Sequence, residues 1–267
     1  MQTMPTLRGV NDLSFQAAKT ARSPLPENDD PRTSGGDPSP SARLGMTASF
    51  EAYAYSKPAR TFTGDFYLTH HDTDRLWFVL GDVAGKGLNA AVIMAMIQEE
   101  LEHRIASCAT TKCDPSATMQ RLHEFLHPLM PRNRFATVVI GTLRDDGMLT
   151  ITNAGHCPPL IVSNGVVEEI GSTGPVAGML RRSRWHSVTR QMNRGDTLLI
   201  YSDGLIEAHS CDGEELGVDR VECAFIRAAN RSPREIVDAV LADAADHSFD
   251  DDVTVLAITA RLRPRAS

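Results

Sequence analysis

The chain has no surplus of positive charge, with 27 Lys and Arg against 34 Asp and Glu and a formal net charge of -7. Nucleic-acid binding rests on a basic face that neutralises phosphates, and no basic stripe occurs here, so that class of partner is excluded. No apolar run approaches the length needed to span a bilayer, and the N-terminus lacks a charged-then-apolar leader. A cytoplasmic protein with no membrane partner is expected. Cysteine is sparse. Cys108, Cys113, Cys157, Cys211 and Cys223 are irregularly spaced, which fits neither a disulfide framework nor a zinc pattern, so all five are expected to be reduced.

The apolar content of 42% in 267 residues suffices for one substantial core. Composition changes near residue 45. Residues 13–22 have the makings of a short helix, whereas 23–45 are rich in Pro, Ser, Gly and Asp and too poor in large apolar residues to order themselves. The expected organisation is a short helix plus disordered segment over 1–45 and a folded domain over 46–267.

Within that domain strands and helices come in blocks, which predicts an α+β fold of packed sheets with flanking helices. Two hairpins are expected. The first turns at Asp145-Asp146-Gly147 and the second at Asn164-Gly165, a type I′ signal. Leu88, Ala91, Val92, Ala95 and Met96 keep helical spacing. A second helix should begin at Asp114-Pro115 and bury Leu122, Phe125, Leu126 and Leu129. A third should begin at Ser232-Pro233, where Glu235 completes a capping box, and bury Ile236, Val237, Val240 and Leu241.

The chemistry is concentrated in aspartates. Asp82 and Asp203 each sit on a glycine turn directly after an apolar run, at Gly-Asp-Val-Ala-Gly-Lys-Gly (81–87) and Ser-Asp-Gly (202–204). Asp65 precedes another strand, and Asp250-Asp251-Asp252 leads into Val253-Thr254-Val255-Leu256-Ala257-Ile258. Four carboxylate sites at strand ends imply one converging cluster. Carboxylates, a main-chain carbonyl and water suit Mg²⁺ or Mn²⁺, and none of these motifs has a His at ligand spacing. Two such ions answer the two obstacles to phosphate-ester hydrolysis: they neutralise the phosphoryl oxygens and lower the pKa of a shared water. Taken singly, each aspartate reads equally as turn chemistry. It is the ordered set that points to metal.

Rival phosphate chemistries lack their parts. The 81–87 segment is no Walker A loop, because its glycine spacing is short and Gly87 stands where Ser or Thr must follow Lys86. No cysteine is followed by the Arg of a phosphate-binding loop, which argues against covalent thiol catalysis.

In order, the stretches 63–68, 81–87, 153–156, 202–207 and 251–254 resemble the motifs of the metal-dependent type-2C protein phosphatases, in particular the bacterial SpoIIE/RsbU branch. The resemblance spans about 46 to the C-terminus and implies a four-layer α-β-β-α sandwich of two antiparallel sheets flanked by helices. It also implies a protein serine/threonine phosphatase with two Mn²⁺ or Mg²⁺ ions, acting through a water bound between them. Asp82 corresponds to the carboxylate bridging the ions and Val83 to the carbonyl ligand beside it. Asp203 and Asp251 correspond to terminal ligands, Asp65 to a direct or water-mediated ligand, and Asp252 to a residue behind the ligands. Asp82 and Asp203 are the residues on which catalysis would depend. The implied substrate is a phosphorylated STAS-domain anti-sigma-factor antagonist, with an upstream regulator and a homodimer as further partners. The Leu-Pro after residue 24 resembles the end of the helix that joins such domains to a sensor, for which no room is left upstream.

The sequence departs from the branch at Thr63, Leu68 and Ala84, which stand for Gly, Asp and Ser. Thr63 restricts the backbone and Leu68 removes a carboxylate, so a catalytically weak, phosphatase-like binding module is the alternative reading. Lys86 reads either as a phosphate attractant or as a solvated charge, and Arg60 either as a phosphate contact or as a strand-edge arginine. His156 is expected to be a structural imidazole. The adjacent His70 and His71 point to opposite faces of a strand and make no chelating pair.

Overall fold

A computed structural model of the chain describes residues 46–59, 61–72, 74–108, 113–131 and 133–264. The helix expected over 13–22, the disorder expected over 23–45 and Arg60 lie outside these residues. In chain order the elements are β1 (Met46–Lys57), β2 (Asp65–His71), β3 (Arg75–Val83), α1 (Leu88–Ala106), α2 (Pro115–Leu126), β4 (Ala136–Arg144), β5 (Met148–Ala154), β6 (Leu160–Ser163), β7 (Val166–Glu169), β8 (Val188–Gln191), β9 (Thr197–Tyr201), α3 (Asp203–Ile206), α4 (Gly217–Ala228), α5 (Pro233–Asp243) and β10 (Val253–Pro264).

The strands form two sheets, β1-β10-β9-β6-β7 and β2-β3-β4-β5-β8, with every named pair antiparallel. Side chains alternate between the two faces of a strand, so one strand feeds two cores. On β3, Leu76, Phe78 and Leu80 enter the core between the sheets, where they meet Ile200, Leu256 and Ile258 of the other sheet. Their neighbours Trp77 and Val79 turn outward onto Ile97 and Leu101 of α1 and Met119 and Leu122 of α2. The first sheet does the same: Leu199, Tyr201, Val253 and Val255 face Phe225 of α4 and Ile236, Val237 and Val240 of α5. Both sheets are thus buried on both sides, which gives the four-layer α-β-β-α sandwich. Phe78 is fully buried in the middle of it, and truncation to Ala would cost about 3–5 kcal/mol.

Local signals placed the helix starts correctly. Asp114 caps α2 by accepting from the Ser116 amide, with Pro115 in the first turn, and Ser232 and Glu235 close the capping box of α5. Asn164 and Gly165 adopt φ 51° and 78°, the left-handed pair that a two-residue hairpin turn requires. Three expectations need correction. The α2 helix ends at Leu126, so Leu129 lies beyond its last turn and is 44% exposed rather than buried. On α1 the buried residues are Ala90, Ile97, Leu101 and Ile105, while Leu88 and Val92, which announced the helix, face outward. Cys108 and Cys113 are joined as a disulfide with Cα atoms 6.1 Å apart, because the end of α1 and the start of α2 approach one another; Cys157, Cys211 and Cys223 are free. Among the described residues, no helix is long and apolar enough to cross a membrane.

Candidate metal centre

The aspartates gather at one end of the sandwich, where the core between the sheets opens. Asp65 starts β2 and Asp82 lies near the end of β3, and the antiparallel register sets them directly opposite each other. Both continue the inward-facing alternation, Asp82 two residues beyond Leu80 and Asp65 two before Tyr67, which pack between the sheets. From the first sheet, Asp203 follows the end of β9 and Asp251 and Asp252 precede β10, its antiparallel neighbour. The two turns touch: a Cβ on Gly204 would lie 2.2 Å from the Asp252 carbonyl oxygen. Gly64 serves the other side in the same way, since its Cβ would lie 2.6 Å from Asp82 Oδ1 and 3.0 Å from the Val83 carbonyl oxygen. Any larger residue at either position would push the carboxylates apart.

Asp252 fastens these turns together. Its Oδ1 accepts from the Ala59 amide at 2.8 Å and its Oδ2 from the Gly64 amide at 2.9 Å, so both oxygens hold the main chain that leads into Asp65. The Ser202 hydroxyl donates to the Asp252 carbonyl and accepts from the Thr254 amide. Thr63, a departure from the motif, accepts the Asp65 amide on its hydroxyl at 3.0 Å, so it braces the turn. Leu68 lies among the residues packed toward α1 and α2, on the opposite face of β2 from Asp65; the expectation that it removes a carboxylate from the site is corrected by this alternation.

Electrostatics marks the cluster as short of positive charge. Burial pushes Asp65 up to about 8, assisted by Asp82 and Asp252 and opposed by the Thr254 and Ser202 hydroxyls. Burial and then the Asp203, Asp251 and Asp252 charges push Asp82 up to about 7, and burial and Asp251 raise Asp203. Asp65 is buried, and its Oδ2 has no hydrogen-bond partner. Among the described residues the cation beside the cluster is Lys86, whose Nζ is 2.8 Å from Asp251 Oδ2. A cleft lined by Phe62, Gly64, Asp82, Lys86, Asp251 and Asp252, among others, opens over the cluster. The carboxylates do not close a cage: no three His, Cys, Asp or Glu side chains among the described residues stand in ready metal-binding geometry. An all-oxygen donor set, mutual repulsion and an orphaned buried oxygen nevertheless fit a hard divalent cation, which would compensate what Lys86 alone does not.

The remaining candidates separate cleanly. His156 is buried, its Nδ1 is 2.9 Å from the Thr137 hydroxyl, and its main-chain amide donates to Asn153 Oδ1. Burial pushes its pKa down to about 4, against a weak opposing pull from the Tyr201 main chain, so the ring is neutral and structural. His70 and His71 sit at the far end of β2 from Asp65. Burial, Asp203 and Glu207 push the Cys157 thiol up to about 12, which leaves it protonated and unfit as a nucleophile. Arg134 carried no sequence signal, yet its Nη1 donates to the Ala84 carbonyl at 2.6 Å and braces the 81–87 turn from the loop before β4.

The family model described as stage II sporulation protein E (SpoIIE) matches residues 72–261. The chain is 29% identical over 237 residues to protein IcfG of Synechocystis sp., covering 77% of this chain and 37% of that protein. It is 25% identical over 211 residues to phosphoserine phosphatase RsbU of Bacillus subtilis, covering 77% and 62%. The match thus spans less than two thirds of either relative. Among solved structures, that of the RsbU and RsbW domains of Rv1364c from Mycobacterium tuberculosis superposes with a TM-score of 0.69 at 25% identity, covering 81% of this chain and 61% of that one.

Proposed function

With more than half of its 267 residues inside the matched span, the chain belongs to the SpoIIE family, and from that premise we propose that it is a metal-dependent protein serine/threonine phosphatase. In this reading Asp82, the Val83 carbonyl, Asp203 and Asp251 would hold two Mn²⁺ or Mg²⁺ ions, and Asp65 would offer its unpartnered Oδ2 directly or through water. When bound, the ions would neutralise the phosphoryl oxygens and make water acidic enough to attack near neutral pH. Asp252 keeps the Gly64 turn close to Asp82, and Lys86 stands where it meets an incoming phosphate dianion. The observation that carries the proposal is the repelling set of buried Asp65 and half-buried Asp82 and Asp203 at the open end of the sandwich.

The substrate is a phosphoserine or phosphothreonine on a protein, in keeping with the name of the RsbU relative. A STAS-type anti-sigma-factor antagonist of a cytoplasmic partner-switching pathway fits best, since the Rv1364c chain carries RsbU and RsbW domains together. The test is release of phosphate from p-nitrophenyl phosphate. Chelation should abolish it, Mn²⁺ or Mg²⁺ should restore it, and thiol-blocking reagents should leave it unchanged. Turnover that survives exhaustive chelation would refute the mechanism, and binding of a phosphoprotein without phosphate release would leave a binding module instead.

A further inference from the structure

A basic and apolar surface lies on the segment that follows Ala177 and takes no part in the proposed metal centre. Arg181, Arg182 and Arg184 are exposed on the segment before β8, next to Met179 (46% exposed) and Leu180 (54%). The chain after α2, which carries exposed Leu129, meets this segment at Gly178, whose carbonyl oxygen is 3.1 Å from His127 Nδ1. Arg121, Arg194, Arg220 and Arg231 are exposed one at a time along the chain, and Arg144, Arg190, Arg227 and Arg234 each stand by a carboxylate. None lies within ion-pair distance of Arg181, Arg182 or Arg184 among the described residues, and Glu124 on the adjacent helix accepts from Gln120 instead. Three unmatched arginines on a chain of net charge -7 are a local reversal of sign.

The segment is held firmly. The Gly178 amide donates to His123 Nδ1 at 3.0 Å, Trp185 Nε1 donates to the Pro175 carbonyl at 2.7 Å, and the Ser183 hydroxyl donates to the Leu180 carbonyl at 2.8 Å. A surface fixed before binding loses little entropy when a partner arrives. Its place is also defined. Ala177 pairs with Ala136, and Ala136 pairs with Val83, the residue after Asp82. Two strand spacings, about 10 Å, therefore separate Ala177, two residues before Met179, from the end of β3 that carries Asp82 and Val83.

We propose that the surface formed by Leu129, Met179, Leu180, Arg181, Arg182 and Arg184 docks an acidic segment of the phosphoprotein substrate, one that presents carboxylates beside an apolar side chain. The proposal rests on the phosphatase reading for the identity of its partner. Complementary charge favours a carboxylate-bearing protein, while the interleaved leucines and methionine and the short basic run argue against a nucleic-acid backbone, which needs an extended basic face.

The probes are two phosphoserine peptides with one leucine, differing only in a run of glutamates that is replaced by glutamines in the second. Wild-type protein with Mn²⁺ should show a KM about tenfold lower for the acidic peptide. The R181E/R182E/R184E variant should lose that preference with its rate on p-nitrophenyl phosphate unchanged, and the milder R181Q/R182Q/R184Q variant repeats the measurement should reversal impair folding. Equal KM values in the wild type, or a preference that survives in both variants, overturns the proposal. So does a sedimentation shift from dimer to monomer in the variants without a change in KM, which assigns the surface to a second copy of the chain. Fluorescence anisotropy of the labelled peptides gives the affinity ratio without catalysis. A ratio of about ten with no turnover of p-nitrophenyl phosphate would sustain the docking surface and sink the phosphatase reading.

Discussion

The two sheets furnish the candidate site by different means. The β2-β3 side delivers Asp65 and Asp82 from within a strand pair, in register and facing the space between the sheets, with Asp65 only 4% exposed. The β9-β10 side delivers Asp203 from the first turn of α3 and Asp251 from the turn before β10, where its side chain is 41% exposed and held by Lys86. In the first half burial, and then the surrounding carboxylates, raise both aspartates; the outer half is partly neutralised by Lys86. In the proposed site the strand pair would define position while the outer half would exchange partners.

The sharpest way to break that comparison is to remove charge from each half in turn. Asp82→Asn keeps the shape but not the charge, and turnover of p-nitrophenyl phosphate should fall by roughly 10²-fold or more. The metal-free fold should at the same time become more stable at neutral pH, because a raised carboxylate opposes folding when ionised. Asp203→Asn should also cut activity, with a smaller gain in metal-free stability, and Asp251→Asn should yield no such gain. Thermal unfolding in chelator beside a rate assay reads both outcomes, and an Asp82→Asn protein less stable than wild type would overturn the division between the halves.

The pH dependence of the metal-free protein tests the same point. Asp65 and Asp82 rise from 3.8 to about 8 and about 7, so the folded state holds their protons more tightly than the unfolded one. Stability should therefore grow as pH falls from about 8 toward 4, by on the order of a few kcal/mol. His156 acts in the opposite sense. Its pKa drops from 6.5 to about 4, so its contribution is complete above 6.5 and is lost as pH falls toward 4. The metal-free optimum should then lie on the acid side of neutrality, and saturating Mn²⁺ should move it upward. Urea unfolding across pH, with and without Mn²⁺, checks this; an optimum that ignores the metal would mean that the carboxylates do not bind it.

Asp252 joins the two halves, and its loss is expected to be felt next. Asp252→Ala leaves the Ala59 and Gly64 amides without their acceptor, which should destabilise the fold by about 2 kcal/mol. Asp252→Asn retains one acceptor oxygen and should cost less. If the two variants unfold at the same denaturant concentration, the carboxylate does not fasten the two turns together.

Much of this organisation was legible in the sequence because it is written locally. Continuous apolar runs such as 76–80 and 197–201 gave strands, Asp114-Pro115 and Ser232-Pro233 gave helix starts, and aspartates on turns after those runs gave the cluster. What was illegible depends on distant parts of the chain. Leu129 looks like one more apolar residue at helical spacing until the helix is seen to stop at Leu126. The outward stripe of α1 passed for its buried face because that helix is apolar on nearly every side. Arg134 and the Cys108–Cys113 pair acquire meaning only from what the fold brings beside them. Helix α4 was legible and overlooked, since Val221, Ala224, Phe225 and Ala228 keep the spacing of a buried stripe.

Lys86 gives the smallest effect and the finest discrimination. Its ammonium group stands 2.8 Å from Asp251 Oδ2, and both side chains are about half exposed at 51% and 41%, so the pair adds less than about 1 kcal/mol to the fold. In the proposed metal site the same contact would set the lysine in competition with a divalent ion for one carboxylate of the outer half. Lys86→Met should therefore leave the unfolding midpoint almost unchanged while raising Mn²⁺ affinity a few-fold, about what a screened charge pair is worth. Titration calorimetry of the metal-free protein reads this without any substrate. A fall in Mn²⁺ affinity would show that Lys86 holds Asp251 in place for the ion rather than occupying it, and the outer half of the site would then be as fixed as the inner one.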